Sequence, residues 1–204
     1  MEIEIRELRK RDYGKAIQFA ITGMHFNLYL DHKFLLHLYG RYFWYSELQC
    51  ATQVIAAYLG DELAGVLLAD MRGEKKRHRT IGQTIYVKIF AFLQNTFYKG
   101  GTSIYDAANR EMLGEYLEKN QPDGQVVFLA ADPDSKEKGI GTKLLEELER
   151  RERGKDIYLY TDDACTYEFY EHRGFVRSSE REVVLDFGNK KVPLKCFLYS
   201  KLMK

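Results

Sequence analysis

Residues 125–150 read QVVFLAADPDSKEKGIGTKLLEELER, and this stretch decides how the rest of the chain is interpreted. It begins with an apolar run typical of a buried strand and ends with a leucine spacing that predicts an amphipathic helix. Between the two lies a polar turn that ends in Gly139 and Gly141. A strand, a glycine turn and a helix in this order present backbone N–H groups and a positive helix end to an anion. Because glycine also permits close approach of the backbone, the stretch is predicted to bind a phosphate group.

The composition of the chain indicates one soluble globular domain covering residues 1–204. A length of 204 residues is enough for one well-buried core, and 45% hydrophobic with 30% charged residues is ordinary for such a domain. Lys and Arg total 31 against 30 Asp and Glu, so the formal net charge is +1. This balance provides no overall field that would draw the protein to a polyanion. We therefore expect neither a nucleic acid nor a membrane as a partner.

Three cysteines, Cys50, Cys165 and Cys196, show no CxxC spacing and cannot all pair. Together with an N-terminus, MEIEIRELRK, that lacks the apolar region of a signal peptide, they predict a reduced, cytoplasmic location. The histidines show no HxxxH or HExxH spacing, so no metal is expected.

The first seventy residues alternate predicted strands and helices. Asp12 is the predicted cap of the first helix. The elements in chain order are a strand at Met1–Leu8, a helix from about Tyr13, a helix at Phe34–Leu48, and a hairpin of Thr52–Leu59 with Glu62–Met71. The second helix carries five aromatic residues that either pack against the sheet or form the wall of an acceptor pocket; these are Tyr39, Tyr42, Phe43, Trp44 and Tyr45.

A helical insertion is predicted at about residues 74–120. Within it, residues 84–98 are apolar but too short and too polar in places to cross a membrane. The spacing of Ile85, Ile89, Leu93 and Phe97 predicts a buried helix, although the β-branched content leaves a strand as the alternative. A further helix is expected from Thr102 or Ser103 to about Lys119.

The C-terminal third continues the alternation of strands and helices. It predicts a strand at Ile157–Tyr160, a helix at Ala164–Arg173 capped by Asp162 or Asp163, and two long strands at Phe175–Phe187 and Val192–Met203. The chain is therefore predicted to be an α/β (α+β) protein with a mixed central sheet of about seven strands flanked by helices.

Two common phosphate loops do not match the sequence. A Walker A loop requires a glycine five positions before Gly141, where the chain has Lys136. A GxGxxG dinucleotide loop requires a small residue at position 144, which is Leu.

A third loop matches better. The sequence KEKGIG at 136–141 resembles the Q/R-x-x-G-x-G/A pyrophosphate loop of the GNAT acyltransferase superfamily, and YEFYEHRGF at 167–175 resembles that family's F-Y-x-x-x-G-F segment. The sequence departs from the family pattern at Lys136, which replaces Gln or Arg, and at Asp163, which stands where many members have Asn. The segment between the third and fourth strands is also longer than a minimal member needs.

The resemblance implies an acyl-CoA-dependent N-acyltransferase, most simply one that moves acetyl from acetyl-CoA to a primary amine by direct attack. It assigns the CoA pyrophosphate and pantetheine to a set of loop and strand residues, with Tyr170 as the acid that protonates the leaving thiolate. The alternative for Tyr170 is a packed core tyrosine, and Tyr167 is the nearest substitute. The implied CoA-binding residues are Leu129, Ala130, Ala131, Lys136, Lys138, Gly139, Ile140, Gly141, Thr142 and Asp163.

Several functional questions stay open at the level of sequence. The general base is Asp132, Asp134, Glu74 or an ordered water, and the family's direct transfer argues against an acyl intermediate on Cys165. The acceptor is a small-molecule or peptide amine. The alternative function is a catalytically silent acyl-CoA-binding or interaction module, in which the apolar face of the insertion serves a partner or a homodimer.

Overall fold

The computed structural model of the protein describes residues 2–28, 30, 32–97, 102–186 and 191–204. These residues form one sheet and six α-helices. The strands are β1 (Ile3–Arg6), β2 (Gln53–Leu59), β3 (Glu62–Met71), β4 (Gly124–Ala131), β5 (Asp156–Asp162), β6 (Val176–Asp186) and β7 (Lys191–Leu202). The helices are α1 (Tyr13–Gly23), α2 (Lys33–Cys50), α3 (Ile81–Phe97), α4 (Thr102–Leu117), α5 (Ile140–Arg151) and α6 (Glu168–Glu171).

The strands form a seven-stranded mixed sheet in the order β1-β2-β3-β4-β5-β7-β6. Every neighbouring pair is antiparallel except β4 and β5, which are parallel and are connected through α5. The predicted fold class is confirmed.

Helices cover both faces of this sheet. On one face, Leu144 and Leu148 of α5 pack into a core that extends from β2 to β7. On the other face there are two separate cores: α1 and α2 pack over β2 to β4, and α4 packs over β5, β7 and β6. No helix within the described ranges is long and apolar enough to span a membrane.

A β-bulge bends β4 near its middle. The register with β3 pairs Leu68 with Phe128 but Ala69 with Val126, so Val127 is an extra residue. The ladder between β4 and β5 ends at the same level, because its last pair is Val126 with Leu159. Beyond the bulge β4 continues to Ala131 without a partner on that side. The sheet therefore opens into a gap between β4 and β5.

Helix α3 is a helix as predicted, but it is not buried along the predicted face. Ile85, Ile89 and Leu93 are 52%, 57% and 46% exposed, and the Phe97 side chain lies outside the described residues. The packed face carries Tyr86 and Phe90 instead. The Phe90 ring stacks on Tyr42 of α2 at 4.7 Å, and the Tyr86 hydroxyl donates to the Leu38 carbonyl at 3.0 Å. The strand alternative is wrong.

The predicted helix at Ala164–Arg173 is also shorter than expected, since α6 covers Glu168–Glu171. Asp162 is the last residue of β5, and its Oδ1 accepts the Ala164 N–H at 3.0 Å in a turn that precedes the helix. Asp12 does not cap α1, because its carboxylate instead accepts the Tyr58 hydroxyl at 2.7 Å and Arg9 Nε at 2.8 Å.

Helices α3 and α4 occupy most of the region predicted as a helical insertion. The α4 bounds agree with the prediction, and the hairpin of β2 and β3 forms around Gly60, whose φ is +61°. That the segment is inserted relative to the family stays a prediction. The turn between β6 and β7 lies outside the described residues.

Candidate functional site

The predicted phosphate loop ends at the N-terminus of α5. Gly139 is the N-cap and has a φ of +87°, a conformation that favours glycine. The first helical hydrogen bond of this end is from the Lys143 N–H to the Gly139 carbonyl at 2.9 Å. The N–H groups of Gly139, Ile140, Gly141 and Thr142 therefore lie before the first intrahelical bond, as at every helix start. Four donors and the helix dipole are directed at the space in front of the loop.

Side chains of the loop have different functions. Ile140 is 3% exposed and packs in the core, so it offers a ligand its backbone N–H and not its side chain. A Cβ at Gly141 would lie 3.0 Å from the Phe169 ring, so a larger residue at this position would have to displace that ring. Lys136 and Lys138 are exposed cations beside the helix start.

Arg173 is a cation at this site that the sequence analysis missed. Its Nε donates to Thr142 Oγ1 at 3.1 Å, its Nη2 donates to the same oxygen, and its guanidinium carbon lies 3.8 Å from the centre of the Phe169 ring. These contacts fix the positive charge one turn into α5. The signal was present in the sequence, since Arg173 directly precedes Gly174 in the F-Y-x-x-x-G-F segment, but its partner Thr142 is 31 residues away.

The gap between β4 and β5 is bordered by the last residues of β4, which directly precede this loop in the chain. Leu129 and Ala131 have side chains toward the core beneath α5, whereas Ala130 is buried on the opposite face. All three pair with β3, at Leu67, Val66 and Gly65. Their opposite edge faces the gap, where an extended amide-containing chain can add as a substitute strand.

Tyr170 lies on α6, beside the same gap. Its half-buried ring contacts Phe169, Phe175 and Tyr199, with ring centres 5.2, 5.7 and 6.5 Å away. Burial, with a smaller contribution from Cys165, raises the pKa of Tyr170 above its usual range. Its hydroxyl donates to no group in the described part of the chain. The phenol is therefore a protonated donor at neutral pH.

Cys165 is close to Tyr170 but is a poor nucleophile. Burial, followed by the nearby Asp162 carboxylate, raises the pKa of the thiol to about 12. Its sulfur lies 3.8 Å from the Gly23 carbonyl oxygen. A thiol that stays protonated at neutral pH does not support an acyl-cysteine route.

Asp163 is bound to the backbone of β7. Its Oδ1 accepts the Lys195 N–H at 2.9 Å, and its own N–H donates to the Lys195 carbonyl at 3.0 Å. The residue thereby extends the pairing of β5 with β7, and a contact to CoA stays a prediction.

The three acids suggested as general base lie in ordinary loop environments. Asp132 forms an ion pair with Lys15 at 2.8 Å, and its Oδ1 accepts the Asp134 N–H at 3.0 Å. Glu74 forms an ion pair with Lys155 at 3.3 Å. Lys155 directly precedes β5, so this pair lies at the end of the sheet that is away from the phosphate loop. The described residues contain no group of three or more potential metal ligands. The absence of a metal cofactor stays a prediction.

Comparison with known proteins identifies the fold. Residues 103–177, which include the loop, α5 and Tyr170, match the model described as "Acetyltransferase (GNAT) domain". A search of curated protein sequences gave no match.

Solved structures match over nearly the whole chain. The PaiA N-acetyltransferase of Thermoplasma acidophilum, in complex with coenzyme A, matches with a TM-score of 0.54 and 16% identity over 99% of both chains. The structure of histone acetyltransferase HPA2 and related acetyltransferase from Corynebacterium glutamicum matches with a TM-score of 0.59 and 15% identity over 97% of this chain and 96% of that one. An agmatine N-acetyltransferase matches with a TM-score of 0.56 and 11% identity over 98% and 99%.

At these identities the solved structures establish the shared fold, while the domain match covers the loop and α6. Residues 103–177 thus match a GNAT acetyltransferase domain, and the whole chain has the fold of these solved acetyltransferases.

Proposed function

We propose that the protein is an acyl-CoA-dependent N-acyltransferase that transfers acetyl from acetyl-CoA to a primary amine by direct attack. The observation that carries this proposal is the gap between β4 and β5, which lies next to four helix-start N–H groups. A ligand with a pyrophosphate at one end and an amide-containing arm at the other fits these two features together.

The chain supplies matching groups along such a ligand. The N–H groups of Gly139 to Thr142 bind the pyrophosphate, with Lys136, Lys138 and Arg173 as nearby cations. The free edge of Leu129 to Ala131 pairs with the pantetheine amides. A backbone N–H of this edge also polarises the thioester carbonyl, and one such donor lowers a barrier by about 3 kcal/mol. In this proposal Tyr170 protonates the departing thiolate.

A silent acyl-CoA-binding or interaction module is the second candidate. The exposed stripe of Ile85, Ile89 and Leu93 on α3 favours it, because a large apolar patch often marks a protein interface. A homodimer formed through this stripe is compatible with either function. The cytoplasmic location stays a prediction.

The test combines a binding measurement with a turnover measurement. Calorimetry with CoA should detect one site per chain. Thiol release from acetyl-CoA should then appear with at least one member of a panel of small amines and peptides, and mass spectrometry should find the acetylated amine. Tight CoA binding without thiol release across the panel would reject the enzyme and favour the binding module.

A further inference from the structure

The sheet face opposite α5 carries carboxylates that the proposed CoA site does not use. On this face α2 and α4 lie on either side of the opening between β4 and β5, and their cores are separate. Glu47 belongs to α2, Asp106 to α4 and Asp162 to the end of β5. An acceptor must reach the thioester from a side that the CoA arm does not fill, and this face offers that approach.

Glu47 is positioned over the bulge in β4. It lies one helical turn after Phe43, and residues four apart share a helix face. The Phe43 ring lies 5.8 Å from that of Phe128, the residue that follows the bulge. Trp44 and Leu48, which flank Glu47 in the helix, are both fully buried against the sheet. Glu47 therefore lies on the side of α2 that carries Phe43, near the level at which β4 leaves β5.

The environment of Glu47 favours proton exchange near neutral pH. Burial raises the pKa of this carboxyl to about 7, and no cation offsets that effect. The titratable neighbours that its charge reaches are Tyr42 and Cys50, whose pKa values it raises. Cys50 is also reached by Asp70 of β3 and by Lys76 and Arg79. A buried carboxylate with such a pKa can accept and release a proton at working pH.

The opposite side of this opening is also acidic. Asp162 is 8% exposed, and its Oδ2 accepts the Tyr105 hydroxyl of α4 at 3.3 Å. Asp106 is exposed on the same helix, with Arg110 as a neighbouring cation, and its charge raises the pKa of Tyr42 on α2. The hydrogen bonds of Asp162 come from Tyr105, Cys165 and the Ala164 N–H, and these donors are all uncharged. Its negative charge is therefore available to a bound cation.

We propose that the opening between α2 and α4 is the acceptor site, that Glu47 takes the proton of the reacting amine, and that Asp106 and Asp162 select an acceptor with a second positive charge. The substrate class is a small diamine or polyamine. This inference rests on the proposed transferase function and adds its base and its acceptor.

The proton and electron balance is complete with these groups. The Glu47 carboxylate removes one proton from the alkylammonium, and the nitrogen lone pair forms a bond to the thioester carbonyl carbon. The C–S bond then breaks, its electron pair stays on sulfur, and Tyr170 donates a proton to that sulfur. The nitrogen loses its second proton, which restores the Tyr170 phenol, and Glu47 releases the first to solvent. The products are the amide, the free thiol and one proton.

The first test is the Glu47→Gln variant, with Glu118→Gln as the matched control because Glu118 is an exposed glutamate in the turn after α4. We expect Glu47→Gln to lower kcat/KM by about 100-fold or more. It should also remove the inflection near pH 7 from the pH profile of the wild type. CoA affinity and circular dichroism should stay unchanged in both variants. Wild-type turnover with an unchanged pH profile in Glu47→Gln would overturn the assignment.

The second test compares diaminobutane with aminobutane. The wild type should prefer the diamine by about 10-fold or more in kcat/KM, and Asp106→Asn and Asp162→Asn should each reduce this ratio while the monoamine rate changes less. Because Asp106 is exposed, its variant does not depend on tolerance of a core change. Turnover of both amines with equal efficiency would overturn this proposal alone. Silence toward every amine, with CoA bound, would overturn the proposed function and this site with it.

Discussion

At the scale of single residues, Tyr170 has the protonation state that an acid requires. Burial opposes the charged phenolate, so the phenol keeps its proton at neutral pH. The rings of Phe169, Phe175 and Tyr199 around it restrict the orientation of the side chain. The hydroxyl is thus available and fixed in direction.

The Tyr170→Phe variant should lose turnover while it keeps binding. We expect kcat to fall by about 10- to 1000-fold, because a general acid contributes about that much, and the Kd for CoA to change little. Steady-state thiol release and calorimetry measure the two quantities. Tyr167→Phe is the control, since Tyr167 packs against Phe197 with ring centres 5.0 Å apart. Equal losses in both variants would point to a packing effect instead of an acid.

Lys136 should matter less than its position suggests. In the proposed function backbone N–H groups carry the anion contact, and an exposed lysine contributes a screened point charge. Lys136→Ala is expected to weaken CoA binding by about 3- to 10-fold at low salt and less at high salt. Lys143→Ala serves as control, because Lys143 is already paired with Glu146 at 3.2 Å. Near-complete loss of binding in Lys136→Ala would show that the loop amides do not carry the site.

The places of single residues in the fold could be predicted where the motif is local in sequence, whereas their roles stay predictions. The glycines of the loop and Tyr170 stand in short motifs, so their placement followed from spacing. Arg173 and Asp163 depend on partners 31 and 32 residues away, Thr142 and Lys195. Spacing within one segment carries no information about such pairs.

At the scale of elements, the bulge in β4 is the feature that makes the site. Residues 126–131, VVFLAA, contain no glycine or proline that would mark an irregular strand. Only the register of β4 with β3 therefore reveals the bulge. For helix α3 the sequence indicates more than one possible buried face. Its two neighbouring apolar stripes are both helical in spacing, and the aromatic residues of α2 determine which one packs.

The start of α5 depends on one glycine conformation. Gly139→Ala should destabilise the fold by about 1–2 kcal/mol, because a Cβ is unfavourable at positive φ even though nothing lies within 4 Å of it. Gly139→Asn should cost less. Gly114→Ala, in the interior of α4 and also without a close neighbour, should stabilise by up to about 1 kcal/mol. Urea unfolding measures all three, and an unchanged midpoint for Gly139→Ala would contradict the positive φ.

At the scale of the whole molecule, burial of Glu47 makes stability depend on pH. The folded state holds a proton up to about pH 7, whereas the unfolded chain loses it near 4.5. Stability therefore falls as pH rises from about 4.5 to about 7 and is then level. Glu47→Gln removes this loss, so it should raise the free energy of unfolding by up to about 3 kcal/mol at pH 8 and by nothing at pH 4. Equal effects at both pH values would mean that the carboxyl is not desolvated.

The short ladder between β4 and β5 has a mechanical consequence. Three residue pairs join β1–β4 to β5, β7 and β6, and on the face of α2 and α4 the two halves have separate cores. The sheet thus has two halves that are joined by a short β4–β5 ladder. On the face of α5 a shared hydrophobic core also holds the two halves together. A ligand that lies along both strands would link the two halves. At a ligand concentration 100 times its Kd, binding adds about 2.7 kcal/mol to the free energy of unfolding. With the ligand bound, amide hydrogens on the facing edges of residues 128–131 and 160–162 should exchange more slowly than in the free protein. Deuterium uptake of both segments therefore measures whether the ligand joins the two halves of the sheet.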